Sequence, residues 1–590
     1  MGVPGFFAWI LKKIKNNKII TNNLPNKATN FYIDANCAFH PQCYKVLHFY
    51  NKINNLEKLE KKMIDRNLNY LNYLIQLVNP QKEVFISVDG VAPLAKLNQQ
   101  RKRRYKSVQD NELKEIINKK YNKETNKIWN NLSITPGTKF MEKLHKKLVE
   151  FIKTNKLKLE IDYIYSSYHT IGEGEHKILQ DIKKKNIKEN EDDIYVIYGL
   201  DADLFFLAMS SNKKNIYLLR EESFLRKGKK EENEIIDIIN DVAEDLCYVS
   251  IDETKKSINK LIKDCIKRKG FQEYIEDIDF IDDFITLSYL LGNDFIPHIP
   301  SIDIKNNGLD FLIDKYTNTF ILLNTHLIKK DRINNKIEIN GIFLEELLES
   351  LSKCETYYFE VKLPQFKEGL NRRKCLSEDP YDIEMWELDN MRSSGNNEDS
   401  IQLGMGSPDL WKFRYYEYYY KATHSQKELI DKMCLEYLKS VLWSTKYYFE
   451  ECKIWDWQYP YFHAPFISDI WKYYRNNNID INHLQFNGKS ESLTPLVQLL
   501  SVIPPVCVDL LPKEYYKIMI SVESSVKDLF PIKVHIDTIN KDSYWKCIPM
   551  VPNININRII NAVKTLNLST EENIRNKIFD NFIATYRKRE

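Results

Sequence analysis

At 590 residues the chain is too long for one hydrophobic core and calls for two or three subdomains. Lys+Arg 86 against Asp+Glu 82 leaves +4, so no global positive field dictates a nucleic-acid partner and any basic site must be local. Ten scattered cysteines without a CxxC signal neither a zinc site nor a disulfide framework and suit a reducing compartment, and no run of about 20 apolar residues offers a membrane span.

The N-terminal MGVPGFFAWILKKIKNNK carries its positive charges after its apolar residues, unlike a secretory signal, and has Phe6 where a myristoylation signal has Ser or Thr. Short apolar strand candidates then recur: NFYIDAN, EVFISVDG, LEIDYIYSS, IYVIYGLDAD and NIYLLREES. Helical patterns such as FMEKLHKKLVEFIKTNK and GEGEHKILQDIKKK separate them. Strands alternating with helices predict an α/β fold, a parallel sheet flanked by helices, with the site beyond the carboxyl ends of the strands. Residues 226–234, RKGKKEENE, read as a solvated charged loop, and 235–330 as mainly helical. Residues 377–410, rich in Ser, Asn, Gly and Asp, read as a flexible link with partial order. The remainder, 411–590, is mixed and aromatic-rich, densest in WKFRYYEYYYKA and WDWQYPYFHAPFISD.

Three of the strands end in acids: Asp34 after FYI, Asp89 after FISV, and Asp201 with Asp203 after VIYGL. TIGEGEHKI adds Glu173 and Glu175, and GNDF adds Asp294. Taken singly, a strand-end Asp reads as an Asx turn or helix cap, and GEGE as a helix N-terminus that favours acids. Asp282 and Asp283 in IDDF read as capping or solvating a helix. Buried together, seven carboxylates repel one another and lose hydration unless protonated or bound to cations. Oxygen-only donors suit Mg²⁺ or Mn²⁺, and two such ions can activate a water and stabilise the leaving oxygen of a phosphodiester. Glu173 and Glu175 would then reach two metal positions from one short, glycine-flanked segment.

AKLNQQRKRRYK, residues 95–106, carries six cations: Lys96, Arg101, Lys102, Arg103, Arg104 and Lys106. Such a run by itself reads as a solvated helix face. Placed just after Asp89, it would grip a terminal phosphate beside the acids, the requirement for an exonuclease that measures its substrate from the end.

In order along nearly the whole chain, MGVPGFFAWI, YIDANCAFH, VDGVAPLAKLNQQRKRRY, ITPGTKFM, GEGEHKI, YGLDADL, LLREES, GNDFIPHIPS, YYFEECKIWDWQYPYFHAPFISD, LLSVIPP and LLP resemble the Xrn-type 5′→3′ exoribonucleases. The resemblance implies a PIN-like 5′-nuclease core. It implies residues 1–330 as the nuclease domain, 331–410 as a variable linker, and 411–590 as a second region completing an RNA channel. It makes Asp34, Asp89, Glu173, Glu175, Asp201, Asp203 and Asp294 the metal ligands, with two Mg²⁺ or Mn²⁺ ions. Lys96, Gln100, Arg103 and Arg104 would hold the 5′-phosphate. His40 with Trp455 or Trp457 would stack on the leading bases, while the tryptophans read equally well as core. The implied substrate is single-stranded RNA with a 5′-monophosphate, degraded to 5′-mononucleotides by an intracellular monomer, cytoplasmic rather than nuclear.

The chain departs from the family pattern at Gly5, usually lysine; at Thr170 and Ile171, usually two prolines; and in QYPYFHAP, usually YYPYHYAP. It reads as a minimal member, without a long C-terminal extension or a CxxC-type zinc knuckle. Two rivals stand beside this reading. A flap-endonuclease-like DNA enzyme shares the acids but needs a glycine-rich hairpin between helices, which is not found. A non-catalytic RNA-binding scaffold would be signalled by lost acids, and all seven are present.

Overall fold

Five strands have apolar centres and are buried along most of their length on both faces, the pattern of a parallel sheet covered on both sides. They are β2 (Asn30–Asp34), β3 (Glu83–Ser87), β4 (Asp162–Ser166), β5 (Tyr195–Tyr198) and β6 (Ile216–Glu221). Each of the five strand-like sequence segments forms one of them. In the computed structural model, which describes residues 5–14, 16–50, 52–123, 128–185, 192–221, 237–271, 273–331, 336–392, 399–422, 427–486 and 491–585, they pair in parallel in the order β6-β5-β2-β3-β4. The charged loop at 226–234 lies outside the described residues.

Strand order reverses between β2 and β5: the chain steps outward from β2 through β3 to β4, then returns to β5 on the other side. A crevice opens at such a reversal, beyond the strands' carboxyl ends. Three further strands extend the sheet antiparallel at its edges. β7 (Leu246–Ser250) pairs with β6 and with β1 (Ile20–Thr21), and β12 (Phe582–Ala584) pairs with β4. Two hairpin-like pairs, β8 (Ile328–Asp331) with β9 (Lys336–Ile339) and β10 (Ile536–Asp537) with β11 (Ile548–Pro549), stand apart.

Side chains alternate across the sheet. Tyr32, Phe85, Tyr195 and Ile197 face one core, with α6 (Gly174–Lys185), α7 (Asp203–Ser210), α8 (Ile251–Arg268), α9 (Ile281–Ser288) and α10 (Gly308–Leu323). Phe31, Ile33, Val84, Ile86, Val196 and Tyr198 face the other, with α2 (Ala35–Phe49), α3 (Leu56–Val78) and α5 (Lys139–Leu159). Each such apolar side chain contributes about 1.5–3 kcal/mol on burial. α1 (Phe6–Lys13) joins the first core, its Phe6 ring 4.5 Å from Phe206 and 6.0 Å from Phe284. Local signals fix the helix ends: Asn55 caps α3 through Lys58 N–H, and Thr138 caps α5 through Met141 N–H.

α4 (Leu94–Lys120) carries the basic run, and it is not a solvated face. Leu94 and Leu97 enter a third core with Leu496, Leu499 and Leu500 of the helix 495–502. Arg101 is 1% exposed and donates to the carbonyls of Ser501 (2.6 Å), Pro552 (3.3 Å) and Leu529. Gln498 accepts the Ala92 N–H at 2.9 Å. The C-terminal third thus holds the basic helix in place. It also clamps the loop before GEGE: Phe579 stacks on His169 at 4.1 Å and its N–H donates to the His169 carbonyl at 3.2 Å.

Asp283 neither caps nor solvates α9. It is 1% exposed and accepts from the N–H groups of Ile328 (2.7 Å) and Leu327 (3.1 Å) and from the Tyr316 hydroxyl, and it pairs with His326 Nδ1 (2.8 Å). It is a structural anchor for β8. Among the described residues, no helix is long and apolar enough to cross a membrane.

Candidate active site

Asp34 closes β2 and opens α2, which delivers its carboxylate to the β2–β5 crevice. The residue is 4% exposed; Cys37 Sγ donates to Oδ2 at 3.0 Å, and Oδ1 is buried without a hydrogen-bond partner. Burial, then the charges of Asp89 and Asp201, hold its carboxyl well above the usual range. Asp89 follows β3, with its own N–H bonded to Asn36 (3.1 Å) and its Oδ1 accepting Gly174 N–H (2.7 Å).

GEGE forms the entry into α6. A Cβ on Gly174 would lie 2.8 Å from Asp34 Oδ1 and 3.3 Å from Asp89 Oδ1, so only glycine lets this backbone pass the two carboxylates. Gly172, at φ +103°, sets the turn before it. The two glutamates diverge from there. Glu173 accepts Lys96 Nζ at 2.6 Å and the Tyr447 hydroxyl at 2.8 Å. Glu175 is 6% exposed with Oε2 buried and partnerless, and burial with the Asp203 charge pushes its carboxyl far up. Asp203, the first residue of α7, accepts the Tyr448 hydroxyl at 2.7 Å, and burial with the Asp294 charge raises it to about 6. Asp294 accepts Lys96 Nζ at 2.8 Å; burial works upward on its carboxyl, but the ammonium wins and holds it below the usual range. Asp201 lies beside Asp34, and a carboxylate oxygen of each, with Cys37 Sγ, falls within 4.8 Å of the others. The structure therefore brings all seven predicted acids to one crevice.

The predicted phosphate-binding residues share a face of α4 at i, i+4, i+7 and i+8. Lys96 is 6% exposed, and its Nζ bridges Glu173 (2.6 Å) and Asp294 (2.8 Å), joining the cationic face to the acids. Gln100 Oε1 and Arg104 Nη1 are buried without partners, whereas Arg103 is exposed. His40, half-buried on α2, feels the same guanidinium groups. Burial first, then Arg103 and Arg104, lower its imidazole to about 4 and leave it neutral at pH 7. Of the tryptophans, Trp457 is core, 6% exposed, with its ring 5.5 Å from Trp443 and 5.7 Å from Phe486. Trp455 is half-buried and borders a cleft of about 330 Å³ with His176, Lys177 and Gln180.

Compared with known proteins, residues 1–222 match the family described as XRN 5'-3' exonuclease N-terminus, and residues 275–374 and 364–590 match the Xrn1 helical domain. The chain belongs to the Xrn 5'-3' exonuclease family. It is 29% identical over 98% of its length to human 5'-3' exoribonuclease 1, spanning 35% of that protein. It is 25% identical over 99% of its length to the Drosophila melanogaster 5'-3' exoribonuclease 2 homolog and to Saccharomyces cerevisiae 5'-3' exoribonuclease 1, spanning 73% and 45% of them. The Xrn fold seen here is the PIN-like α/β core that the sequence motifs imply, and its aromatic-rich C-terminal region, read from sequence as mixed, is mainly helical among the described residues.

The acids of this Xrn chain fit a divalent cation. Two buried carboxylate oxygens have no partner, and several carboxyls are pushed up by burial and mutual repulsion, a strain that a bound cation relieves. Sequence reasoning missed the groups that orient them. Tyr447 and Tyr448, on the helix 427–449, donate to Glu173 and Asp203, and Tyr447 stacks on His176 at 4.5 Å. Lys177 Nζ donates to the carbonyls of Val88 (2.7 Å), Ser167 (2.9 Å) and Thr170 (3.1 Å), tying the β3 and β4 ends together. The tyrosines stood in the quoted YYFEEC, but a hydroxyl that serves a carboxylate 274 residues away leaves no local pattern.

Proposed function

We propose that the chain is a 5′→3′ exoribonuclease that hydrolyses single-stranded RNA carrying a 5′-monophosphate to 5′-mononucleotides, using two divalent ions, Mg²⁺ or Mn²⁺. The observation that carries the reading is one crevice where partnerless buried carboxylate oxygens of Asp34 and Glu175 adjoin a cationic helix face with the partnerless Arg104 Nη1. Asp34, Asp89, Glu173, Glu175, Asp201, Asp203 and Asp294 would hold the ions. When bound, these supply an activated water and charge stabilisation at the leaving oxygen. Tyr447 and Tyr448 fix the rotamers of Glu173 and Asp203. Lys177 fixes the spacing of the loops that carry Asp89 and Glu173. Lys96, Gln100, Arg103 and Arg104 receive the terminal phosphate, the three cations through charge-assisted bonds. Neutral His40, and Trp455 rather than the core Trp457, offer rings to the leading bases at ~1–3 kcal/mol each. The chain would act as a monomer inside the cell, in the cytoplasm rather than the nucleus; the free cysteines among the described residues suit the reducing compartment this requires.

The test digests 5′-monophosphate, 5′-hydroxyl and circular versions of one RNA, with and without Mg²⁺. The 5′-monophosphate RNA is degraded fastest, and the circle is left intact. Arg103→Ala with Arg104→Ala slows the 5′-monophosphate RNA far more than the 5′-hydroxyl RNA, because contacts to a phosphate act only when it is present. Efficient cleavage of the circle overturns the exonuclease reading in favour of an endonuclease.

A further inference from the structure

Oxygen-only metal chemistry has no need of Cys37, yet its sulfur stands inside the crevice. It lies three residues beyond Asp34 and three before His40, so the three share one face of the first turns of α2. Sγ is 3.0 Å from Asp34 Oδ2, and the Leu200 N–H points at it from 3.4 Å on the segment leading to Asp201. One donor atom each of Asp34, Cys37 and Asp201 lies within 4.8 Å of the other two. Independently of the thiol, Asp34 is 4% exposed and its Oδ1 is buried with no partner, a carboxylate oxygen left for a ligand the chain does not supply.

We infer that Cys37 turns the Asp34–Asp201 position into a mixed sulfur–oxygen site for a thiophilic divalent ion, Zn²⁺, and that zinc held there displaces the hard ion and inhibits the enzyme. The second half rests on the proposed nuclease function; the first does not. Thiolate ligands select zinc and its relatives, while carboxylate and water suit Mg²⁺ and Mn²⁺. Bonds of about 2.3 Å to sulfur and 2.1 Å to oxygen place tetrahedral donors roughly 3.6 Å apart, between the 3.0 Å from Sγ to Asp34 Oδ2 and the 4.8 Å that bounds the three donors here. Binding exchanges one bond for another: the Sγ–H proton leaves to solvent as the Sγ–Zn bond forms, with no change of oxidation state. Three protein donors leave a fourth position for water or a phosphate oxygen.

Co²⁺ reports a sulfur ligand directly, through thiolate-to-cobalt charge-transfer absorption in the near ultraviolet. Metal-free full-length protein titrated with Co²⁺ gains this band at the first equivalent and loses it to added Zn²⁺; Cys37→Ser lacks it, although nine other cysteines remain. Cys37→Ala behaves as Cys37→Ser does, and circular dichroism shows both folded. In RNA digestion with Mg²⁺, each protein compared with its own zinc-free rate, wild type is inhibited at zinc concentrations roughly 10–100-fold lower than either variant. An equal cobalt band in wild type and Cys37→Ser overturns the site. Loss of the band with unchanged zinc sensitivity overturns the inhibition. A wild type that binds cobalt through Cys37 but degrades no RNA leaves the site standing and removes the proposed function instead.

Discussion

The two sides of the acidic crevice are compensated differently. On one side Glu173 and Asp294 share Lys96 Nζ, and Glu173 also accepts Tyr447, so the chain itself neutralises part of their charge. On the other, Asp34 Oδ1 and Glu175 Oε2 have no hydrogen-bond partner, and burial drives both carboxyls well above the usual range; burial raises Glu173 as well, but Lys96 and Tyr447 pull it back. A fold that wanted only stability would give both sides a lysine, because uncompensated buried charge costs several kcal/mol. On the proposed function, the difference marks the Asp34–Glu175 side as the one that would gain most from an external cation.

The largest expected effect comes from removing both sides at once. Glu173→Gln with Glu175→Gln keeps shape and deletes two charges that hold cations and stabilise the transition state, so turnover on 5′-monophosphate RNA falls by about 10³-fold or more. Circular dichroism on the same sample stays native. Near-normal decay by that folded protein refutes the role given to the acids.

Stability without metal sharpens the comparison. A carboxyl raised in the folded state binds its proton more tightly there than in the unfolded chain. Its contribution is therefore fully present below the ordinary carboxylate pKa and is lost as pH rises through the folded value. For Asp203, at about 6 instead of 3.8, that window runs from about pH 4 to 6 and amounts to roughly 3 kcal/mol. Glu175, raised further, extends the loss to higher pH. Half-buried His40, His145 and His298 and buried His176 and His463, all lowered, act oppositely and destabilise the fold as pH falls below about 6.5. The carboxylate effect is therefore read as a difference. In chelator-treated samples Glu175→Gln melts higher than wild type at pH 8, and the gap narrows toward pH 5. Glu173→Gln shows no such gain, since it strips a partner from Lys96. Added Mg²⁺ raises the wild-type Tm more than that of Glu175→Gln. A gap that widens on acidification would contradict the assignment.

The parallel sheet was legible because its five strands are short apolar runs bounded by turns and helices, and the strand-end acids marked its carboxyl edge. The edge strands were not. β1 and β12 have two and three residues, and β7 lies in a stretch that reads as helical; all three exist because long-range pairing completes them. The acids were found from sequence because each sits beside a local landmark, a strand end or a glycine. The bridge from Lys96 to Glu173 and Asp294 was not legible, because a charge run is read along the chain while these two partners are 77 and 198 residues away in sequence. Trp457 could be sorted from Trp455 only by packing, since the two differ in neighbours and not in type.

The smallest effect tests whether the orienting hydroxyls matter beyond the charges they serve. Tyr447→Phe keeps the ring, and with it the stack on His176 and the contact with Trp443 at 5.0 Å, and removes only the donor to Glu173. Glu173 retains Lys96, so its side chain stays in place but turns more freely. A hydrogen bond to a charged group contributes about 1.5–3 kcal/mol, and the surviving ion pair should hold the loss of stability to the lower end of that range. Turnover should drop by a factor nearer ten than a thousand, with the Mg²⁺ concentration for half-maximal rate raised and KM for RNA unchanged, because the hydroxyl touches a metal-facing carboxylate and not the base channel. Rescue of the rate by high Mg²⁺ would place Tyr447 in orienting that carboxylate. A loss as deep as that of the double glutamine variant, unrescued by Mg²⁺, would instead mean that the hydroxyl acts on the reaction itself and that Lys96 compensates Glu173 far less than its 2.6 Å contact suggests.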